Sequence, residues 1–147
     1  MRQILLPICL LTLLASCSNS GNSSFSYPEH SYDEVKSLMI EYDKVFSISE
    51  NDHYIYYYQE TCHSCEEIRN EVIDFALNKY AEIYFVLASK ATPHNYSFEE
   101  INLTLGSSNV DDVFVGVTPQ LAKISKGKIE KNIIKNIYIE QELSYYK

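Results

Sequence analysis

The sequence predicts one α/β domain, built on a central mixed sheet of about four strands that is flanked by helices. Two β-prone apolar runs, Tyr54–Tyr58 and Ile83–Leu87, lie on either side of a helical pattern from Cys62 to about Lys79. A strand–helix–strand unit of this kind favours two parallel strands joined by a right-handed crossover. Two later runs around Lys126-Gly127 predict a hairpin, and a chain of 147 residues suits one domain.

Helical patterns lie on both sides of the first strand. Ser31 followed by Glu34 is a capping-box pattern, and apolar residues then recur at helical spacing. We therefore expect a helix from about Tyr32 to Phe46. The apolar stripe of the helix after the strand consists of Cys65, Ile68, Val72, Phe75, Ala76 and Lys79, and it is widened by Ile73, Leu77 and Tyr80.

The stretch from Ala88 to Asp112 is too long for a structureless loop in a compact domain. A second capping box, Ser97 with Glu100, and a terminating Gly106 predict a short helix near Phe98–Leu105. The hairpin strands and the closing helix are predicted at Gln120–Ser125, Lys128–Ile134 and Ile139–Tyr146.

Composition and charge narrow the classes of function. The chain has 12 basic and 20 acidic residues, which gives a net charge of −8. A nucleic-acid-binding protein needs a basic face, so we expect no nucleic-acid partner. Apolar residues make up 46% of the chain, which supports a packed core rather than disorder. The 4 cysteines are too few for a disulfide-rich mini-protein.

The first residues form a targeting segment. The apolar run Ile4–Leu14 is too short to span a bilayer but suits the core of a signal peptide. It ends in Leu14-Ala15-Ser16-Cys17, which resembles the lipobox of bacterial lipoproteins. This resemblance implies that residues 1–16 are removed and that Cys17 carries an acyl anchor such as palmitate. An ordinary secretory signal with a chance cysteine is the alternative.

The polar stretch that follows predicts a tether. Residues 17–30 are rich in Ser, Asn and Gly near their start, a composition typical of a flexible linker, so we assign the folded domain to residues 31–147. Signal and lipid together predict a protein anchored to the cell membrane at its extracytoplasmic face. Disulfides persist in that compartment.

The chemistry of the chain centres on Cys62-His63-Ser64-Cys65, at the junction of a buried strand and a helix. Cys62 lies at the helix N-terminus, where free N–H groups and the helix dipole favour a thiolate. Cys65 follows about one turn later on the core-facing stripe, close enough to form a disulfide or to resolve a mixed disulfide. We therefore predict Cys62 as the nucleophile and Cys65 as the resolving cysteine.

Together these features resemble the thioredoxin superfamily. The matching parts are the strand Tyr54–Tyr58, the motif with its long helix, the strand Ile83–Leu87, and Gly116-Val117-Thr118-Pro119 before the hairpin. The resemblance implies a thioredoxin-like fold, a cis Thr118-Pro119 bond facing the two cysteines, and a Thr118 backbone that docks substrate peptides. The chain looks most similar to small membrane-anchored proteins of Gram-positive bacteria, including the bacteriocin-transport accessory proteins.

Three positions depart from thioredoxin proper. Thr61 precedes the motif where thioredoxins carry Trp, and His63-Ser64 stands in place of Gly-Pro. The strand Tyr54–Tyr58 lacks the buried acid that accepts a proton from the second cysteine in that family. The acids that could replace it have a spacing that predicts exposed positions; they are Glu60, Glu66 and Glu67.

His63 has two interpretations. A protonated imidazole between the cysteines would stabilise the Cys62 thiolate and make the disulfide more oxidising. The alternative is an exposed loop histidine with little effect, because nearby glutamates oppose it by raising the pKa of a thiol. The direction of electron flow therefore stays open.

Two other roles compete for the cysteines. A zinc site needs about four ligands, but the domain holds one C-x-x-C pair, and His30, His53 and His94 are scattered. We therefore expect no metal and no cofactor. A purely structural disulfide would close a very short loop, which contributes little through chain entropy.

Two functional hypotheses follow. The first is a membrane-tethered thiol–disulfide oxidoreductase that acts on exported cysteine-containing proteins and exchanges electrons with a membrane partner. The second is a thioredoxin-shaped accessory or binding module of an export or bacteriocin system, in which the cysteine pair is not catalytic. Covalent capture of partners by a Cys65→Ala variant separates the two.

Overall fold

A computed structural model describes residues 27–49, 52–88, 98–113, 115 and 117–147 of the protein. The strands in these ranges are β1 Asp52–Tyr58, β2 Ile83–Leu87, β3 Gln120–Ser125 and β4 Lys128–Ile134. They form a mixed sheet of 4 strands in the order β2-β1-β3-β4. The predicted strand–helix–strand unit and the predicted hairpin are confirmed.

Strand pairing brings the ends of three strands to one edge of the sheet. β1 and β2 run parallel, with Tyr56 opposite Phe85. β1 and β3 run antiparallel, with Tyr57 opposite Gln120. The carboxyl ends of β1 and β2 therefore share an edge with the amino end of β3. Residues that follow β1 meet residues that precede β3 at this edge.

Helices flank the sheet. The two α-helices of the described ranges are α1, His63–Leu77, and α2, Asn136–Ser144. Short 3-10 helices are present at Tyr32–Leu38, Tyr42–Lys44, Phe98–Thr104 and Val110–Asp112. No helix in the described part of the chain is both long enough and apolar enough to cross a membrane.

The single helix predicted from Tyr32 to Phe46 is wrong. Its start forms as expected, since the Ser31 N–H donates to the Glu34 carboxylate at 2.7 Å. The helix that begins there is of the 3-10 type, however, and it ends at Leu38. A second 3-10 helix then covers only Tyr42–Lys44.

The break has a tertiary cause at the edge of the sheet. Met39 forms a parallel bridge with Phe85 of β2. The next N–H, that of Ile40, donates to the Phe85 carbonyl at 2.9 Å. An unpaired strand edge needs partners for its backbone groups, so the chain here pairs with β2 instead of continuing a helix.

Other predicted boundaries shift. The last helix was expected at Ile139–Tyr146, but α2 begins at Asn136 and ends at Ser144. The short helix near Phe98 is a 3-10 helix, and Gly106 follows it at φ +84°. Its predicted cap, Ser97, lies outside the described residues, and so do the leader and Cys17.

Helix α1 buries the predicted stripe except at its end. Its buried side chains are Cys65, Ile68, Val72, Ile73, Phe75 and Ala76. Lys79 does not belong to the stripe, because the helix has already ended and this residue is exposed at φ +54°. Leu77 and Tyr80 are 44% and 41% exposed, so they widen the buried surface less than expected.

The sheet is covered on both faces, as the continuous apolar pattern of β1 predicts. Tyr54, Tyr56 and Tyr58 pack in the cluster that contains the α1 side chains, whereas Ile55 and Tyr57 pack in a separate cluster. None of these five β1 side chains is more than 3% exposed. Packing on both faces therefore fixes the position of β1 and of the residues that follow it.

Candidate active site

The motif Cys62-His63-Ser64-Cys65 begins where the chain turns from β1 into α1. The Cys62 N–H donates to the Gln59 carbonyl at 3.2 Å, which closes this turn. Cys62 is the N-cap residue of α1, with an extended backbone at φ −87° and ψ 111°. An N-cap residue in this conformation turns its side chain toward the free N–H groups of the first helical turn.

The Cys62 sulfur occupies the place of a capping oxygen. The backbone N–H of Cys65 donates to Cys62 Sγ at 3.1 Å. When the pair is reduced, this donor and the positive end of the helix dipole both favour negative charge on the sulfur. The local geometry therefore suits a thiolate at Cys62.

The two cysteines differ in accessibility. They are joined as a disulfide, with 5.2 Å between their Cα atoms. Cys65 is only 1% exposed, whereas Cys62 is partly exposed. An incoming sulfur can therefore reach Cys62 but not Cys65. Attack and resolution require this division between two cysteines.

Thr118 and Pro119 meet Cys62 at the shared edge of the sheet. The peptide bond between them is cis. The Thr118 carbonyl oxygen lies 3.5 Å from Cys62 Sγ, across 56 residues of sequence. Thr118 is partly exposed and Pro119 is buried. The antiparallel pairing of β3 with β1 is what brings these residues together.

His63 extends into solvent. Its side chain is 89% exposed, and Nε2 lies 3.4 Å from Oε1 of Glu67 one turn further along α1. Within the described residues, no hydrogen bond joins the imidazole to Cys62. His63 therefore interacts with Glu67 rather than with the sulfur.

The core-facing side chains of β1 near the motif are phenols, not carboxylates. Tyr56 is fully buried, and burial raises the pKa of its hydroxyl well above 10.0. Tyr58 stacks on Tyr32 at 3.9 Å between ring centroids, and burial raises the pKa of Tyr32 to about 12. These neutral groups bring no charge into the cluster that contains Cys65. The nearby acids are all exposed, as their spacing predicts: Glu60, Glu66 and Glu67.

One residue of the site was not identified from the sequence. Asn136, the first residue of α2, donates from Nδ2 to the Ser64 carbonyl at 3.0 Å and to Glu67 Oε2 at 2.7 Å. Ser64 lies between the two cysteines and is 72 residues away in sequence. No local pattern in the sequence shows that the first residue of one helix contacts another helix so far away.

The scattered histidines have other partners. His30 Nδ1 lies 3.1 Å from the Glu34 carboxylate, and His53 Nε2 lies 3.1 Å from the Val45 carbonyl oxygen. His94 lies outside the described residues. Within the described ranges, no three His, Cys, Asp or Glu side chains come together in a way that could hold a metal ion.

Several solved structures have a similar fold. A protein described as a candidate oxidoreductase with a thioredoxin fold is 11% identical, has a TM-score of 0.50, and matches over 80% of this chain and 98% of its own. A thioredoxin of Plasmodium falciparum is 12% identical over 74% of this chain and 98% of its own, with a TM-score of 0.49. A thioredoxin of Fasciola hepatica is 15% identical over 66% of this chain and 82% of its own, with a TM-score of 0.44. Comparisons with protein-family models and with curated protein sequences find no match.

The protein thus has a thioredoxin fold with a cysteine pair at disulfide distance. The four-stranded mixed sheet flanked by helices agrees with the similarity in fold to the first of these structures. At such low identity the similarity concerns the fold alone. A fold does not determine a function, so the activity has to be argued from the site.

Proposed function

We propose that the protein is a thiol–disulfide oxidoreductase at the extracytoplasmic face of a bacterial cell membrane, where it exchanges disulfides with cysteines of exported proteins. One observation carries the proposal. The partly exposed Cys62 sulfur accepts an N–H bond at the start of a helix and lies 3.5 Å from the Thr118 carbonyl oxygen. A purely structural disulfide requires neither an accessible sulfur nor an adjacent docking strand.

In the reductive direction, Cys62 starts the reaction as a thiolate. It attacks one sulfur of a substrate disulfide, so that a Cys62–substrate bond forms and the second substrate sulfur leaves as a thiolate that takes up a proton. Deprotonated Cys65 then attacks Cys62 Sγ. The Cys62–Cys65 disulfide forms, and the first substrate sulfur leaves and takes up a proton. Two electrons pass from the protein to the substrate.

The Thr118 backbone supplies the docking position. Thr118 precedes β3 and is partly exposed, so an extended substrate peptide can pair with it by strand addition. Because the Thr118 carbonyl lies next to Cys62, such pairing carries a substrate sulfur close to the nucleophile. Recognition through the peptide backbone accepts different sequences, which suits an enzyme that acts on several exported proteins.

The oxidative direction uses the same steps in reverse order. A substrate thiolate attacks Cys62 Sγ, so that a substrate–Cys62 bond forms and Cys65 leaves as a thiolate that takes up a proton. A second substrate thiolate then attacks the first substrate sulfur, so that the substrate disulfide forms and Cys62 leaves as a thiolate. Two electrons pass to the protein. In either direction the pair must be restored by a dithiol or disulfide partner. We assign this role to an electron-transfer protein in the same membrane.

The membrane location rests on the sequence of the leader. Leu14-Ala15-Ser16-Cys17 follows an apolar run in the arrangement of a lipobox. Each buried CH₂ of an attached acyl chain contributes about 0.8 kcal/mol to membrane binding. A lipid anchor at Cys17 would hold the domain near exported proteins as they emerge.

A Cys65→Ala variant tests the proposal by trapping. Without the resolving thiol the mixed disulfide at Cys62 is not released from within the protein, so we expect covalent adducts with exported proteins. The adducts should appear on non-reducing gels, disappear with reductant, and be identifiable by mass spectrometry. Cys62→Ala is the matched control. It also leaves one cysteine in the motif, but this is the buried Cys65, so the variant should trap nothing.

The second hypothesis predicts the opposite result. A docking module of an export or bacteriocin system would bind its partner equally well without either cysteine, and Cys65→Ala would accumulate no reducible adducts. The phenol side chains of β1 favour this alternative, because Cys65 has no buried carboxylate on that strand to accept its proton. Equal binding by wild type and the double variant, with no adducts, would overturn the proposed activity.

A further inference from the structure

Asn136 connects the start of α2 to the first turn of α1. Its Nδ2 donates one hydrogen bond to the Ser64 carbonyl, at 3.0 Å, and a second to Glu67 Oε2, at 2.7 Å. Ser64 is one of the two residues between the cysteines. Between these two residues the chain forms β2, β3 and β4, so this contact joins the last helix to the motif.

The chemistry of the partners determines the orientation of the Asn136 amide. A carbonyl and a carboxylate are both acceptors, and an asparagine NH₂ group has two hydrogens to donate. The opposite orientation would place the amide oxygen against two acceptors. Both hydrogens are therefore used, and the bond to the charged carboxylate is the shorter one, as expected for a charge-assisted bond.

The Glu67 carboxylate contacts both Asn136 and His63. One carboxylate oxygen, Oε2, accepts from Asn136, while the other, Oε1, lies 3.4 Å from His63 Nε2. Side chains four residues apart lie on the same face of a helix. The carboxylate is thus held in a position where it offsets positive charge on the imidazole that directly follows Cys62.

We propose that Asn136 is a positioning residue for the redox pair, and that it holds Glu67 against His63 and so limits the effect of the imidazole on the Cys62 thiolate. This inference rests on the proposed oxidoreductase function and concerns the regulation of that same site. Stabilising the thiolate stabilises the reduced form and makes a disulfide more oxidising. Asn136 and Glu67 therefore make the pair less oxidising than His63 alone would make it.

Redox equilibrium with glutathione at a fixed pH tests the inference. We expect Asn136→Ala and Glu67→Gln each to make the pair more oxidising, by about two- to fivefold in the equilibrium constant, the range that the energy of an exposed ion pair allows. Asn78→Ala is the matched control for Asn136→Ala. Asn78 donates to the Asp74 carbonyl at 2.9 Å and to its carboxylate at 3.1 Å at the other end of α1, so its loss should leave the constant unchanged.

A second comparison separates the effect that Glu67 exerts through His63 from the simple loss of a negative charge. Glu66→Gln removes the same charge one residue earlier, from a carboxylate that pairs with Arg69 at 3.6 Å. The Glu67→Gln shift should exceed the Glu66→Gln shift, and this excess should vanish in a His63→Gln background. Glu67 is 53% exposed, so its variant is expected to fold even if Asn136→Ala does not.

The outcomes are distinguishable. The positioning role is wrong if Asn136→Ala changes the equilibrium constant with glutathione no more than Asn78→Ala does. It is also wrong if the larger effect of Glu67→Gln over Glu66→Gln persists when His63 is replaced. If the wild-type pair does not exchange with glutathione at all, the proposed oxidoreductase function itself fails, and the positioning role fails with it.

Discussion

Cys62 is surrounded by backbone groups with opposite effects on its charge. The Cys65 N–H at 3.1 Å favours a thiolate, whereas the Thr118 carbonyl at 3.5 Å favours a neutral thiol, because a carbonyl accepts from S–H. The donor is nearer and lies at the positive end of the α1 dipole. We therefore expect its effect on the sulfur to be the larger one.

A hydrogen-bonded group around Glu142, at the end of β1 away from the cysteines, contributes to the stability of the fold. Glu142 is 8% exposed, and its two oxygens accept from the Tyr54 hydroxyl at 2.7 Å and from Lys131 Nζ at 2.8 Å. Burial by itself raises the pKa of Glu142. The hydrogen bonds from Lys131 and Tyr54, with the charges of Lys131 and Lys123, outweigh burial and lower the pKa below 4.5.

We predict that Glu142→Gln destabilises the protein by about 1.5–3 kcal/mol at neutral pH, because hydrogen bonds to a charged group are lost. The folded-state pKa of Glu142 is below its ordinary value. Its contribution is therefore complete above that ordinary value and is lost as pH falls through the lowered pKa. Urea unfolding at a series of pH values should show the deficit of the variant shrinking in acid.

Glu130→Gln is the control for this change. Glu130 pairs with Lys123 at 2.9 Å but is 49% exposed, so its loss should change the free energy of unfolding by less than about 1 kcal/mol. A Glu142→Gln deficit that is the same at neutral pH and in acid would contradict the argument from the lowered pKa.

At the scale of elements, α1 has two functions on two surfaces. Its first turn holds the cysteine pair, and its buried stripe fixes the helix against β1. Phe75 is fully buried in this stripe, with ring centroids 5.7 Å from Tyr80 and 5.8 Å from Tyr146. The position of the cysteine pair therefore depends on packing more than one turn away from it.

We predict that Phe75→Ala destabilises the protein by about 3–5 kcal/mol, from lost burial and the cavity that remains. Leu77→Ala, two residues later on the same helix, should cost about 1 kcal/mol or less because Leu77 is 44% exposed. The shift of the urea unfolding midpoint measures both losses, provided that the slope of the unfolding free energy against urea concentration does not change. Similar losses for the two variants would show that α1 is not anchored through Phe75.

At the scale of the whole molecule, the site is assembled by elements that are distant in sequence. The start of α1 supplies the cysteines, the segment before β3 supplies Thr118 and Pro119, and the start of α2 supplies Asn136. The sheet order places β1 between β2 and β3, so the cysteines lie beside the start of β3.

Attachment to the membrane is a whole-molecule prediction that rests on the leader. We expect cells that express the full chain to incorporate labelled palmitate into it and to retain it in the membrane fraction. Cys17→Ala should lose the label, whereas Cys9→Ala should keep it, because Cys9 lies within the segment predicted to be removed. An unlabelled, secreted wild-type protein would indicate an ordinary secretory signal instead.

Local patterns in the sequence predicted much of this architecture. The continuous β-prone run Ile83–Leu87 and the two runs around the Lys126-Gly127 turn predicted strand bounds that agree with the structure. The helical spacing that follows the strand run predicted a helix beginning at Cys62, and Cys62 is the N-cap residue of α1. These features depend on neighbours a few residues away, and periodicity and capping report such neighbours directly.

What the sequence determined by itself was therefore the strands, α1, the hairpin and the cysteine pair at a helix start. Only the tertiary structure decided that Met39 pairs with Phe85 and divides the first helix, and that Asn136 reaches Ser64. These contacts depend on backbone and side-chain partners that are far away in sequence. Hydrogen bonds of that kind form only after the sheet has brought the elements together, so no local pattern encodes them.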